Sequence, residues 1–249
     1  LSKLVFQNLY FGNEMAKEII KIESFSKSYL DISGHIVNVF ENISFNIEIG
    51  KITTLLAANG AGKTTLLKMI AGINDDNKNR LFIPQKPSSF PWLNVRENVS
   101  FNLKNVSENE VLEIIKFVGL EGYEDHYPHN KSIGFRFRIS LARAIINKPE
   151  LILIDESISS LPLKRRLEFY SLFRKVVAEK GVPILYSTNS VAEAIRVSDK
   201  IILFNQFQKG NAEKIILIDE ETRIDSEAVL NIQDYFEESE LSILFDNII

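Results

Sequence analysis

A glycine-rich loop at residues 57–65 constrains the fold of this chain more than any other segment. It reads Ala-Ala-Asn-Gly-Ala-Gly-Lys-Thr-Thr and lies between an apolar run at residues 52–56 and a segment of good helix formers at residues 64–71. A loop of this composition between a strand and a helix is typical of a P-loop, whose backbone N–H groups bind nucleotide phosphates. The sequence therefore predicts an α/β protein that binds a nucleoside triphosphate.

The residue types of the loop fit this interpretation. Gly60 and Gly62 let the backbone curl around phosphates without a Cβ in the way. Lys63 would reach the β- and γ-phosphates, Thr64 would ligate Mg²⁺, and the helix N-terminus adds partial positive charge. Ala57 departs from the pattern, which has glycine there, and a glycine-rich turn with a stray lysine is the weaker alternative. The predicted nucleotide-binding residues of the loop are Asn59, Gly60, Ala61, Gly62, Lys63, Thr64 and Thr65.

A second motif lies at residues 151–156, where four apolar residues precede two adjacent carboxylates. Such a run is typical of a parallel strand buried on both faces, and ligands bind at the C-terminal ends of parallel strands. Asp155 can hold the metal through its hydration shell, and Glu156 can orient or deprotonate the attacking water. The alternative is an acidic helix cap after a core strand. The upstream Lys63 favours the nucleotide site.

With both motifs in this order, the chain resembles the nucleotide-binding subunits of ABC transporters from about residue 19 to residue 204. Residues 26–29 look like the loop whose aromatic ring stacks on adenine, residues 82–85 resemble the Q-loop, and residues 136–144 continue the family's signature region. The resemblance implies an α/β P-loop NTPase of the ABC ATPase type, with an antiparallel β lobe and a helical subdomain. It also implies that the cofactors are ATP and Mg²⁺.

The resemblance assigns further site residues. Tyr29 is the adenine platform, and Gln85 senses the metal and the attacking water. Ser132 and Gly134 are the surviving parts of the signature, which contacts nucleotide, and Asn189 holds the place of the family's switch histidine. The predicted catalytic residues are thus Glu156, Gln85 and Asn189, and the predicted metal-site residues are Thr64, Gln85 and Asp155.

Three departures from the family pattern bear on catalysis. Ile133 replaces a signature glycine that lets the backbone approach the γ-phosphate, and Pro162 stands where the D-loop has aspartate. Asn189 can donate a hydrogen bond to a phosphate oxygen but cannot carry a positive charge. These departures favour a weakly catalytic or non-catalytic ATP-binding module, which acts as a switch or as the degenerate half of a heterodimer.

The retained Lys63, Thr64, Gln85, Asp155 and Glu156 favour the leading interpretation, which is an ATP-hydrolysing subunit of an importer. Residues 84–99 are close to importers of the nitrate, sulfonate and taurine type. The implied partners are an integral membrane permease, a second ABC ATPase in a homodimer or heterodimer and, indirectly, a substrate-binding protein. The implied location is cytoplasmic, on the inner face of the cell membrane.

Composition agrees with these partners. The 249 residues are 45% hydrophobic and can build one large α/β core. A net charge of −4 with interspersed signs argues against a nucleic-acid surface. There are no cysteines, which excludes disulfides and cysteine-based metal sites. The predicted site thus depends on oxygen ligands and on phosphate-binding backbone.

The domain prediction is a single ABC ATPase domain over residues 15–249. Residues 1–14 look like remnants of protease-cleavage sites, and we interpret them as an added tail with Met15 as the native start. The helical subdomain is predicted at about residues 95–135 and a C-terminal extension at about residues 210–249. Within the extension, residues 226–246 have the pattern of a helix, for which packing is favoured over regulation.

The remaining pattern predicts the order of the elements. Strands of the antiparallel lobe are expected at residues 18–26, 35–40 and 43–49, and further strands at 52–56, 151–154, 183–187, 200–204 and 213–218. Helices are expected at residues 64–71, 134–146 and 163–180, and one that begins with a capping box at Ser107 and Glu110 and ends at Gly119. Trp92 is predicted to lie on a partner-binding surface, with burial between lobes as the alternative.

Overall fold

Two β-sheets and the helices around them form the part of the chain that the computed structural model describes, which is residues 19–30, 32–72, 79–203, 209–211 and 214–218. The strands are β1 (Ile19–Leu30), β2 (Ile36–Glu48), β3 (Ile52–Leu56), β4 (Arg80–Ile83), β5 (Leu151–Asp155), β6 (Ile184–Thr188), β7 (Lys200–Leu203), β8 (Lys209–Asn211) and β9 (Lys214–Leu217). The helices are α1 (Lys63–Ile70), α2 (Val95–Val99), α3 (Glu108–Phe117), α4 (Ile133–Ile146), α5 (Leu163–Lys180) and α6 (Val191–Val197).

The larger sheet has the strand order β4-β5-β6-β3-β7-β9. Its strands are parallel except for β9, which pairs antiparallel with β7. In the register, Asp155 of β5 lies beside Ser187 of β6, and Leu56 of β3 lies beside Thr188. The C-terminal ends of β3, β5 and β6 therefore meet at one edge of the sheet, where open α/β sheets bind their ligands.

The side chains of β5 show why a run of consecutive apolar residues forms this strand. Leu151 and Leu153 lie in a hydrophobic cluster with β1, β2 and α1, whereas Ile152 and Ile154 lie in a second cluster with α3, α4 and α5. Successive side chains of a strand point to opposite faces, so a strand covered on both sides needs apolar residues at every position. The predicted burial of this strand on both faces is confirmed.

The smaller sheet, with strand order β1-β2-β8, corrects the prediction of its strands. Residues 35–40 and 43–49 were expected to form separate strands, but β2 runs through both segments. The chain accommodates Asn42 as a bulge with φ of 54°, and the Asn42 N–H donates to Ser26 Oγ at 2.8 Å. β1 also continues four residues beyond the predicted end, and β8 pairs with β2 in parallel rather than antiparallel orientation.

The predicted capping box at Ser107 is confirmed only in part. Ser107 Oγ accepts a hydrogen bond from the Glu110 N–H at 3.2 Å, but the Glu110 carboxylate pairs with Lys148 at 3.0 Å. The complete capping box belongs to α2, where Asn94 and Glu97 bond each other's backbone N–H at 2.8 Å. As predicted, α3 ends before Gly119, whose φ of 75° suits a residue without a Cβ.

The other element predictions agree with the structure within one or two residues at their ends. The helix predicted at residues 163–180 is α5, which follows Pro162 and ends before Gly181 with φ of 69°. The predicted tail at residues 1–14 and the predicted helix at residues 226–246 lie outside the described residues. No helix within the described parts of the chain is long and apolar enough to cross a membrane.

Candidate functional site

The loop between β3 and α1 has the geometry of a phosphate cradle. Gly60 and Gly62 have φ of 79° and 92°, and a Cβ on Gly62 would lie 2.5 Å from Val39 Cγ1. Gly62 is the N-cap of α1, makes no side-chain cap hydrogen bond, and no acidic residue occupies the first helical turn. The helix N-terminus thus keeps its partial positive charge for a bound anion.

Ala57 occupies the position where the pattern has its first glycine. It is buried and is not among the residues with positive φ, so its Cβ costs no backbone strain there. Its N–H donates to Thr188 O at 3.2 Å, and its carbonyl accepts from Lys63 Nζ at 2.8 Å. Alanine therefore supports the same loop conformation.

The ammonium group of Lys63 lies at the centre of the loop and is only 6% exposed. It donates to Ala57 O at 2.8 Å and to Ala58 O at 2.9 Å, and it pairs with Glu156 Oε1 at 3.0 Å. An ammonium group has three donors, which these three oxygens can engage. Lys63 and Glu156, which are far apart in sequence, are thus brought into direct contact.

Thr64 and Asp155 form a pair of oxygen groups beside this lysine. Thr64 Oγ1 donates to Asp155 Oδ2 at 2.7 Å, and Ser187 Oγ donates to Asp155 Oδ1 at 2.8 Å. Asp155 is 3% exposed, whereas Thr64 is exposed. Ser187 was not among the predicted site residues. The signal that could have identified it is a polar residue at the C-terminal end of β6, the buried strand adjacent to β5.

Glu156 follows β5 in the left-handed region, with φ of 45°. This conformation is uncommon for a residue with a Cβ and is found at functional sites. Its carbonyl accepts from Ser159 N at 3.2 Å and from Ser159 Oγ at 2.9 Å, which fixes the turn. The turn aims the carboxylate at Lys63 rather than along the strand.

Asn189 lies next to the phosphate loop. Its Nδ2 donates to Asn59 Oδ1 at 3.0 Å. The residue follows β6 directly, and the preceding carbonyl of Thr188 accepts from the Ala57 N–H. Its side-chain amide can donate hydrogen bonds where the predicted phosphates would lie.

Tyr29 lies on β1 rather than in a loop, paired across the sheet with Val37. Its ring is 49% exposed, and its hydroxyl is 3.5 Å from Thr65 Oγ1 of α1. Lys27 Nζ lies 4.9 Å from the ring centroid. The predicted adenine platform is therefore an exposed ring beside the start of α1.

Gln85 is exposed and follows β4, the neighbour of β5. The buried Ser157 hydroxyl lies 2.8 Å from Pro84 O and 3.3 Å from Ile83 O. Ser157, which sequence reasoning missed, thus links the backbone after Glu156 to the backbone before Gln85.

Two predicted site residues lie apart from this cluster. Ser132 is the N-cap of α4, where its Oγ accepts from Phe135 N at 3.2 Å, and Gly134 lies in the first turn of that helix. In the described part of the chain, no hydrogen bond or ion pair joins either residue to residues 57–65. Within one chain the structure therefore assembles Tyr29, Lys63, Thr64, Asp155, Glu156 and Asn189, but not Ser132 or Gly134.

The arrangement fits a triphosphate with Mg²⁺. The uncapped helix start, the left-handed glycines and a buried ammonium suit phosphate oxygens. The exposed Thr64 hydroxyl and the Asp155 carboxylate are the oxygen donors that Mg²⁺ prefers. Among the described residues no group of three or more His, Cys, Asp or Glu could hold a metal by itself. A metal here would therefore share its coordination with phosphate and water.

Comparison with known proteins agrees with this geometry. The family model of the ABC transporter matches residues 40–159, which include the loop, α1, β5 and Glu156. A structure of the ATP-binding cassette MJ0796, dimeric and in a post-hydrolysis state with ADP and Pi, is 23% identical, with a TM-score of 0.68 over 81% of this chain and 99% of that one. A second dimeric structure of MJ0796, described as a bacterial ABC transporter cassette, gives the same values.

These matches confirm the predicted fold class. They support the predicted ATPase activity and the predicted cofactors, ATP and Mg²⁺. They leave the importer subtype and the individual site residues as predictions. The loop geometry, the sheet order and the match over residues 40–159 thus agree in giving this chain the fold of an ABC ATPase cassette.

Proposed function

We propose that this chain binds ATP with Mg²⁺, hydrolyses it, and thereby powers an importer through a membrane permease. The observation that carries the proposal is the contact between the two motifs, with Lys63 3.0 Å from Glu156 and Thr64 2.7 Å from Asp155. The groups that hold phosphate and those that act on water thus lie side by side. A purely structural role would not require a buried ammonium paired with a carboxylate at the start of a helix.

Phosphate binding falls to the loop and to Lys63. The backbone N–H groups at the start of α1 and the Lys63 ammonium hold the β- and γ-phosphates, and Tyr29 stacks on the base. Because Lys63 pairs with Glu156 at 3.0 Å, phosphate oxygens compete with that carboxylate for the ammonium. Binding thereby frees Glu156 to act on water.

Hydrolysis falls to Glu156, assisted by Gln85 and Asn189. Glu156 orients or deprotonates the attacking water, and Asn189 donates an amide hydrogen bond to a phosphate oxygen. Thr64, Asp155 and Gln85 would hold the metal, whose positive charge neutralises developing charge on phosphate when it is bound. Each of these side chains sits at the C-terminal edge of the sheet or at the start of α1.

A complete site needs a second ABC ATPase chain. Ser132 and Gly134 make no bond with the phosphate loop within this chain, so we assign them to the site of a partner subunit in a homodimer or heterodimer. The MJ0796 structures, which are described as dimeric, support this assignment. In this arrangement the α4 N-terminus of one chain faces the nucleotide of the other.

An aromatic surface formed by Phe90, Trp92 and Phe101 supports the proposal that the chain binds a permease at the inner face of the membrane. Phe90 packs against Trp92 and Phe101 with ring centroids 5.5 and 4.4 Å apart, and Trp92 is 69% exposed. The buried Asn98 side chain bonds Phe90 N, Phe90 O and Leu93 O at 2.8 to 3.0 Å. Such preorganised aromatic anchors suit the centre of a protein interface.

A second candidate function is a weakly catalytic or non-catalytic ATP-binding module, a switch or the degenerate half of a heterodimer. It is favoured by Ile133 at the first position of α4, by Pro162 before α5 and by Asn189 in place of an ionisable group. The steady-state ATPase rate of the purified chain, alone and with its permease, separates the two functions. The substrate is selected by the permease and binding protein.

Nucleotide binding can be tested by thermal unfolding. ATP–Mg²⁺ at about 100 times its Kd stabilises the native state by about 2.7 kcal/mol, which raises the Tm by about 5–10 °C. Lys63→Ala is expected to remove most of this shift because the phosphates lose their buried cation. Tyr29→Ala, the matched comparison, is expected to weaken binding by about 1–3 kcal/mol because stacking alone is lost. A wild-type Tm that millimolar ATP leaves unchanged would contradict the proposed site.

The aromatic surface predicts the effect of Trp92→Ala. We expect the variant to keep its Tm, because Trp92 is 69% exposed, and to lose most of its binding to the proposed permease partner. Co-purification from coexpressing cells measures binding. Leu167→Ala removes another exposed apolar side chain, 46% exposed on α5, and serves as the control. Equal recovery of permease with Trp92→Ala and wild type would remove this surface from the interface.

A further inference from the structure

The buried carboxylate of Glu193, on α6, lies outside the groups assigned above. The residue is 2% exposed and lies in the first turn of α6, the helix that begins shortly after Asn189. Burial of a charged group is unfavourable unless hydrogen bonds and an opposite charge compensate it. Glu193 therefore needs partners, and their identity shows what the carboxylate holds in place.

The partners come from two different elements. Glu193 Oε2 accepts a hydrogen bond from Thr188 Oγ1 at the end of β6. Its Oε1 accepts from Tyr170 OH at 2.6 Å and lies 3.5 Å from Arg166 Nη1, both on α5. Burial, and then the Glu193 charge, raise the pKa of Tyr170 above its ordinary value, so the phenol keeps the proton that it donates.

The same carboxylate organises the turn that carries Asn189. Thr188 Oγ1, which donates to Glu193, also accepts from Ser190 N at 3.1 Å, and Ser190 Oγ accepts from Glu193 N at 3.3 Å. These bonds therefore fix the residues immediately before and after Asn189, which are Thr188 and Ser190. The Asn189 amide projects from this turn to Asn59 Oδ1 at 3.0 Å.

The other end of the network reaches the helix that follows Glu156. Arg166 and Tyr170 lie in the first turns of α5, which begins shortly after the turn of residues 156–162. Glu193 thus joins α5, the helix that follows Glu156, to the turn that carries Asn189.

We propose that Glu193 is a positioning residue of the nucleotide site, which holds the turn Thr188–Ser190 and thereby keeps the Asn189 amide against Asn59 of the phosphate loop. The catalytic consequence rests on the proposed ATPase function, but the positioning of Asn189 does not. Glu193→Gln keeps the shape of the side chain and removes its charge, so the acceptor that Thr188, Tyr170 and Arg166 share becomes weaker. The Asn189 amide is then expected to lose its fixed position.

The first test uses the protein without nucleotide. In ¹⁵N-labelled protein, the side-chain NH₂ signals of Asn189 are identified by their loss in Asn189→Ala. We expect Glu193→Gln to move these signals toward those of solvent-exposed asparagines. Glu168→Gln, which alters a more exposed carboxylate paired with Arg165 and Arg138 on the surface, is expected to leave them unchanged. Unchanged Asn189 signals in folded Glu193→Gln would overturn the proposal.

Thr188→Val provides a second variant if Glu193→Gln does not fold. It removes the hydroxyl that joins the carboxylate to the turn, together with the bond that this hydroxyl accepts from Ser190 N, and keeps the buried Arg166–Glu193 pair. The same movement of the Asn189 signals is expected. Signals that stay at their wild-type positions in this variant would equally overturn the proposal.

The second test is a double-mutant cycle on ATP turnover. Misplacement of a group by about 1 Å can cost about 10²-fold in rate, so we expect Glu193→Gln to lower kcat by about 10- to 100-fold with a smaller change in KM. In an Asn189→Ala background, Glu193→Gln is expected to have no further effect on kcat. Multiplying effects would show that Glu193 acts independently of Asn189 and overturn the proposal.

The two tests separate the failure of each idea. A wild-type chain without measurable turnover would contradict the proposed ATPase function, and the NMR experiment would still decide whether Glu193 positions Asn189. Unchanged Asn189 signals together with non-additive kinetics would also overturn the proposal, since the kinetic coupling is expected to act through the position of Asn189. A drop in Tm alone, with Asn189 signals and kcat unchanged, would assign Glu193 a purely structural role.

Discussion

Glu156→Gln is expected to abolish steady-state ATP hydrolysis while leaving ATP binding intact. Glutamine keeps the size of the side chain but cannot take a proton from water, and a general base contributes about 10²–10⁴-fold to a rate. The carboxylate lies 3.0 Å from Lys63 in a turn with φ of 45°, so the protein holds it in a conformation that serves the site rather than the strand. Phosphate release under saturating ATP–Mg²⁺ measures the effect.

Glu150→Gln is the matched control for this variant. Glu150 immediately precedes β5, at the opposite edge of the sheet, where it pairs with Arg80 and its side chain is 46% exposed. We expect its removal to leave turnover near the wild-type value, because Glu150 lies at the N-terminal end of β5 whereas Glu156 follows its C-terminal end. Turnover by Glu156→Gln at a rate comparable to this control would show that another group activates the water.

Local patterns were sufficient to predict most of the framework. Composition alone identifies the loop at residues 57–65 and the strand at residues 151–154. Glycines before a lysine and an apolar run before carboxylates are both typical of nucleotide-binding sites. α5 was predicted with its observed ends because Pro162 and Gly181 mark them chemically. Such signals depend only on residues that are adjacent in the sequence, so one sequence is enough to detect them.

The features that sequence reasoning missed depend on contacts between distant residues. Asn42 reads as a turn residue between two strands, and only its bond to Ser26 shows that the strand continues through a bulge. Ser157 has no motif of its own, because its role is to contact the carbonyls of Ile83 and Pro84. In the sequence Glu193 has the pattern of an exposed helix residue, and only the structure shows that Thr188, Tyr170 and Arg166 contact its carboxylate.

The residues of the candidate site also fall into those that local motifs predict and those that depend on distant contacts. Lys63, Thr64, Asp155 and Glu156 follow from two local motifs, and the structure brings them within 3.0 Å of one another in pairs. Asn189 was selected by family resemblance alone, and its contact with Asn59 supplies a physical reason for the choice. The element that holds it in place could not be inferred because its bonds span three separate segments.

The departures at Ile133 and Asn189 predict that Ile133→Gly combined with Asn189→His raises the turnover of the homodimer. Ile133 places a branched side chain at the first position of α4, where backbone must approach a phosphate, and Asn189 lacks an ionisable group. Loss of one preorganised contact with developing charge costs about 10²–10³-fold in rate. In the proposed dimer Ser132 and the Gly134 N–H would retain part of this stabilisation, so we expect the double variant to gain about tenfold or more.

The single variants identify which departure limits the rate. Ile133→Gly alone relieves the bulk but weakens the start of α4 by up to about 1 kcal/mol, because glycine is a poor helix former. Asn189→His alone restores a group that can carry positive charge beside Asn59. In each background Glu156→Gln must still abolish turnover, since the substitutions assist the same chemistry. A wild-type rate equal to that of the double variant would mean that a neutral amide and a branched side chain serve this site as well as the family's histidine and glycine.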